Sequence, residues 1–139
     1  MTKAKLATLA LATTVVFVGP AFAEKFKATL NGKSEAPPTT SAGTGTADID
    51  YDAATKKLSW KLTYSGLTGP AKAAHIHGPA EPGKNAGVVA AIPGATKSPA
   101  EGSATLTDAQ AADLEAGKLY INVHTEANPA GEIRGQITK

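Results

Sequence analysis

Leu58-Ser-Trp-Lys-Leu-Thr-Tyr64 is the stretch that decides the fold class. Leu58, Trp60, Leu62 and Tyr64 alternate with Ser59, Lys61 and Thr63, a period of two that buries one side of a strand and wets the other. Upstream, Ala47, Ile49 and Tyr51 alternate with Thr46, Asp48 and Asp50. Asp52–Lys56 between these runs is of hairpin length, so the two strands are expected to pair antiparallel. Lys25–Leu30 alternates in the same way before Asn31-Gly32 turns the chain. Glu35–Gly43 reads as a loop, because Pro37 and Pro38 cannot donate to a central ladder. Glycine and proline cut the rest into short strands: one through His75 that ends at Gly78-Pro79, then Val88–Ile92, Gly102–Leu106, Leu119–Thr125 and Glu132–Thr138. One helix is signalled. Thr107 and Gln110 have capping-box spacing, Asp108 suits the helix dipole, and the alanine-rich run to Ala116 stops at Gly117. The expected fold is all-β: an antiparallel β-sandwich or partly closed barrel of about seven or eight strands with one short connecting helix.

The first residues have a different character. Met1–Lys5 is basic, Leu6–Val18 is apolar apart from threonines, and Ala21-Phe-Ala23 has the small-x-small form of a cleavage site. Residues 1–23 are therefore expected to be a secretory signal peptide cut after Ala23, the apolar run being too short to span a bilayer comfortably. Residues 24–139 would form one domain, periplasmic or secreted, with no membrane span. The formal charge of +2 includes Lys3 and Lys5, and without the leader 12 basic residues face 12 acidic ones. Arg134 is the sole arginine and no basic stripe exists, which excludes a nucleic-acid partner. The chain has no cysteine, so disulfides, thiol redox chemistry and a lipidated-cysteine anchor are all excluded.

The three histidines carry the chemistry. His75 and His77 share one face of a strand while Ile76 points the other way. In the last two strands Leu119, Ile121, Val123, Ile133 and Ile137 form the core side, leaving Tyr120, Asn122, His124, Glu132, Arg134 and Gln136 on the other. Antiparallel pairing across Thr125–Gly131 sets Asn122 opposite Arg134 and His124 opposite Glu132. Were the His75 strand to neighbour this pair, three imidazoles would converge, a donor set that suits copper or zinc and leaves a fourth position open. Glu132 could then accept the other ring N–H of His124. The plainer alternative is three solvated histidines beside a charge ladder of little energetic weight. Other chemistries lack their residues: there is no Gly-x-Ser-x-Gly elbow, and the glycines of Ala42-Gly-Thr-Gly-Thr46 precede no helix that could bind phosphate.

Ala74-His-Ile-His-Gly-Pro-Ala80, Asn85-Ala-Gly-Val-Val89, Asp113–Thr125 and Asn128-Pro-Ala-Gly-Glu-Ile-Arg-Gly-Gln136 together resemble the CHRD domain, named for its repeats in chordin and found alone in exported bacterial proteins. The signature positions are His75, His77, Gly78, Tyr120, Asn122, His124, Gly131, Glu132, Arg134 and Gly135. The resemblance implies an extracellular module, but the cysteine-rich modules that accompany the domain in chordin have no counterpart, so growth-factor binding is not carried over. Copper-zinc superoxide dismutases are similar more distantly, through a His-x-His strand, a later strand histidine and an arginine near copper. This chain lacks their zinc-loop histidines and disulfide, which leaves a mononuclear copper site at most.

The expectation is an exported binding module holding one copper or zinc ion through His75, His77 and His124, with Glu132, Arg134, Asn122 and Tyr120 as the surrounding polar face. The alternatives are a metal-free extracytoplasmic interaction or matrix domain with a protein partner, and a mononuclear copper oxidoreductase of superoxide-dismutase-like type.

Overall fold

Alternating side chains build strands wherever one face can be buried, and the first three strands of the chain do so here. The computed structural model describes residues 23–139. The leader expected over residues 1–23 therefore lies, but for Ala23, outside the described residues. In chain order the elements are β1 (Glu24–Asn31), a 3-10 turn (Gly32–Ser34), β2 (Thr44–Asp52), β3 (Lys57–Ser65), β4 (Ala71–His77), β5 (Val88–Ala91), β6 (Ala100–Thr105), α1 (Asp108–Glu115), β7 (Tyr120–Thr125) and β8 (Ile133–Gln136). Among the described residues no helix is long and apolar enough to cross a membrane.

All strands belong to one antiparallel sheet in the order β5-β4-β7-β8-β1-β2-β3-β6, curled into a nearly closed barrel. The hairpin of β2 and β3 pairs from Asp52↔Lys57 to Thr44↔Ser65, as its alternation requires. Leu30, Ile49, Leu58, Leu62, Ile76, Ile121 and Ile133 fill the interior, each buried. Helix α1 has the capping box of Thr107 and Gln110 and contributes Leu114 to the core. The edge strands β5 and β6 are joined by residues 92–99, which close the seam. Ile92 and Ala95 are buried there, the Tyr64 hydroxyl donates to the Ala95 carbonyl at 2.7 Å, and the Tyr64 N–H donates to Ser98 Oγ at 2.9 Å.

Two loops decide what happens outside the barrel. The segment after β1 (residues 32–43) and the segment after β4 (residues 78–87) fold back over the outer face of β4, β7 and β8. Asn85 Nδ2 donates to the Ala36 carbonyl at 2.7 Å and so ties the two together. Two outward-facing residues of β7 are consequently almost as buried as the inward ones: Tyr120 is 2% exposed and Asn122 4%, whereas His124 is half-buried.

The junction of β8 with β1 is the least regular in the sheet. It has one strand pair, Asn31↔Arg134, and an isolated bridge, Lys27↔Thr138. Gly135 makes this close approach feasible, since a Cβ there would stand 2.3 Å from the Thr29 carbonyl oxygen. That neighbour is backbone and cannot swing aside. Gly135→Ala is expected to destabilise the fold by about 1–3 kcal/mol or more. Gly87→Ala, where nothing lies within 4 Å, should change stability by less than about 0.5 kcal/mol. Urea unfolding of both variants checks the pair.

Candidate metal centre

Register places the histidines. In the β4–β7 ladder His77 stands opposite Tyr120, His75 opposite Asn122 and Ala73 opposite His124. On the other side of β7, Tyr120 faces Gln136 and Asn122 faces Arg134. Asn122 is therefore the centre of a small grid, with His75 beside it, His124 two residues along, and His77 on the diagonal. One ring nitrogen from each histidine lies within 4.8 Å of the others. Two nitrogens on one ion at about 2.1 Å stand about 3.4 Å apart at a tetrahedral angle, so a separation of 4.8 Å closes by about 1.4 Å on capture.

Hydrogen bonding fixes which nitrogens are free. A carbonyl has no hydrogen to give, so a ring nitrogen beside one must be the donor. His77 Nδ1 donates to the Ala86 carbonyl at 3.0 Å, and His124 Nδ1 to the Pro129 carbonyl at 2.9 Å. In the neutral form each of these rings keeps its lone pair on Nε2, the arrangement that backbone partners impose on metal-binding imidazoles. The Nε2 of His124 is 3.0 Å from His75 Nδ1, which must carry the hydrogen between them. An ion would take the place of that hydrogen. Burial and the neighbouring imidazoles hold the pKa of His75 below its ordinary 6.5, and burial above all does the same for His77. Both rings are therefore neutral at neutral pH, the form that ligates.

Tyr120, Asn122 and Arg134 gather around the histidines, as the strand register predicts. His77 stacks on Tyr120 with ring centroids 5.0 Å apart and planes within 7°. The Arg134 guanidinium lies 3.5 Å from the Tyr120 ring centroid. Arg134 also donates to Gln136 Oε1 at 3.0 Å, the Glu81 carbonyl at 3.3 Å and Asn85 Oδ1 at 3.4 Å. Its hydrogen bonds pin the covering loop and none goes to an imidazole.

Glu132 corrects the expectation that it accepts from His124. Its carboxylate receives Ser41 Oγ at 2.8 Å, the Thr68 N–H at 2.9 Å, the Thr68 hydroxyl, Thr125 Oγ1 at 2.8 Å and Asn128 Nδ2 at 3.2 Å. Thr125 shares the strand parity of Ile121 and Val123, so Glu132 has turned to the core side at the end of the barrel. It precedes β8 and follows Gly131, whose φ of +132° breaks the alternation that counting residues had assumed. Glu132 latches loops together and does not touch the histidines.

Glu35 is the residue that sequence reasoning missed. It lies in the proline-rich loop after β1, is 5% exposed, and packs over Asn122 and Arg134. No local pattern marks it, because what buries it is the return of a loop over strands a hundred residues away. Gly131 provides the space: a Cβ there would meet Glu35 Oε1 at 2.3 Å and Asn122 Nδ2 at 2.6 Å.

The two buried carboxyls have opposite signs in stability. For Glu132, burial alone would raise the pKa, but hydrogen bonds from Thr68, Thr125 and Ser41 outweigh it and hold the value at about 2. Its ionised form thus stabilises the fold above pH 4.5, and that contribution is lost as pH falls toward about 2. For Glu35, burial outweighs Arg134 and the hydrogen bonds of Ala36 and Asn122 and raises the pKa to about 7. Stability conferred by its neutral form is full below pH 4.5 and is lost as pH rises to about 7. Urea unfolding across pH should show Glu132→Gln less stable at neutral pH by about 1–3 kcal/mol, with the acid limb flattened. Glu35→Gln should gain on wild type as pH rises between the two values.

The CHRD domain family model matches residues 26–137, nearly the whole of the barrel. No curated protein and no solved structure matches the chain. The match spans both halves of the site, from the His75 strand to the Arg134 strand, and the chain belongs to the CHRD domain family, a family of extracellular-type modules.

Proposed function

We propose that this domain is an exported, extracytoplasmic binding module that holds one copper or zinc ion through His75, His77 and His124. The observation that carries the reading is the convergence of three ring nitrogens within 4.8 Å, with Nδ1 of His77 and of His124 already committed to backbone carbonyls. Solvated histidines have no need of such locking. Three neutral imidazoles with an open fourth position suit zinc or copper and would leave room for a small exchangeable molecule. The leader read at residues 1–23 and the extracellular type of the family favour export.

A second reading is favoured by one specific contact. His75 and His124 bond each other at 3.0 Å, which closes that edge of the cluster without an ion. A metal-free interaction or matrix domain would use this contact to hold β4 against β7. The copper oxidoreductase reading has weaker support, because the guanidinium of Arg134 is engaged by the covering loop and the Tyr120 ring.

Calorimetric titration of the metal-stripped protein with Zn(II), Cu(II) and Cu(I) separates these. One ion per chain is expected, and His75→Ala or His124→Ala should weaken it on the order of 100-fold or more. Wild-type binding no tighter than that of the variants would leave the metal-free module standing. Protons compete for the same lone pairs, so affinity should hold at neutral pH and fall in acid as His75 and His77 protonate below their ordinary range. Affinity undiminished at about pH 4 would contradict histidine ligation.

A further inference from the structure

Buried side-chain atoms on four residues have no hydrogen-bond partner among the described residues: Glu35 Oε1, Trp60 Nε1, His77 Nε2 and Asn122 Oδ1. Three of these, on Glu35, His77 and Asn122, belong to one cluster on the outer face. The amide of Asn122 faces both other residues, interacting with the His77 ring and with the Glu35 carboxyl. Its orientation is set by the Ala130 carbonyl, which Asn122 Nδ2 approaches at 3.4 Å and which only a donor can satisfy.

Once Glu35 ionises, above about pH 7, each of the three atoms offers a lone pair and none a hydrogen. With Nδ1 of His77 bound to a carbonyl, its Nε2 has no hydrogen, and the amide oxygen of Asn122 has none either. Lone pairs enclosed together repel one another, and a buried acceptor left unmet is costly. Such a cluster calls for an occupant that brings positive charge at one end and hydrogens at the other. Glu35 also lines two grooves, of about 800 Å³ and about 470 Å³, so its carboxyl stands between the cluster and open solvent.

We infer that Glu35 and Asn122 form a ligand position beside the ion, in which the carboxylate and the amide oxygen accept hydrogens from a small O–H or N–H molecule filling its open coordination site. This rests on the three-histidine reading and extends it to the class of molecule the ion would carry. Glu35 is outside the group of converging nitrogens, so it acts on the carried molecule and not as a ligand. A small anion without hydrogens is disfavoured there, because it would meet a carboxylate. Arg134 lies on the far side of Asn122, and Glu35 offsets its charge.

The test uses Cu(II)-loaded protein and azide, an anion that brings no hydrogen, at about pH 8, above the raised pKa of about 7 of Glu35. Azide affinity is read from the visible and electron paramagnetic resonance spectra of the copper. Glu35→Gln is near-isosteric and should keep copper affinity within about threefold while binding azide about tenfold tighter, since repulsion is removed and Arg134 is unmasked. Glu35→Ala should shift azide in the same direction. Equal azide affinity in wild type and both variants, with copper still bound, would overturn this inference alone. Loss of copper from Glu35→Gln would also overturn it, by making Glu35 part of the ion's own shell. Failure of the wild type to take up copper would remove the three-histidine reading and this inference with it.

Discussion

A guanidinium withdrawn from water must find partners for its hydrogens, and Arg134, 1% exposed, finds them in the loop that covers it. It grips the backbone of Glu81 and the side chain of Asn85, and Asn85 in turn reaches the backbone of Ala36 in the second loop. Beneath it, Tyr120 is held between the guanidinium and the His77 ring. The placement of His77 therefore depends on the same contact that closes the loops. His77 in turn donates to Ala86 in the loop that Arg134 anchors, so scaffold and site are one network.

This network explains why Tyr120 and Asn122, on the outer face of β7, are buried in a protein of this size. The barrel interior is an ordinary apolar core of isoleucine and leucine. The second, external layer is polar, and polar groups inside a low-dielectric region must be matched or left at a cost. Glu132 is matched by donors from four residues, which is why its carboxyl remains ionised in a buried place. One acceptor on each of Glu35, Asn122 and His77 is left unmatched, and the ligand position proposed above rests on these three.

The strands were legible wherever burial is one-sided and local. β3 announces itself through Leu58, Trp60 and Leu62, the helix start through Thr107 and Gln110, and the Asn122↔Arg134 register through the parity of the isoleucines. The convergence of His75, His77 and His124 followed once β4 was set beside β7. Two things did not follow. Counting residues across Thr125–Gly131 put Glu132 on the histidine side, whereas the left-handed backbone of Gly131 carries it to the barrel end. The covering loops, and Glu35 with them, are held by long-range side-chain contacts that leave no periodic trace in the sequence. Fold and ligand candidates were local in origin, but the enclosure of the site was not.

The proposed site requires His77 and His124 to present Nε2 lone pairs toward a common point. Ring nitrogen-15 NMR of the metal-stripped protein reads this directly. The expected result is the Nδ1–H tautomer for both rings, with both Nε2 resonances shifting together on addition of one equivalent of Zn(II). Nε2–H tautomers, or Nε2 resonances indifferent to zinc, would contradict it.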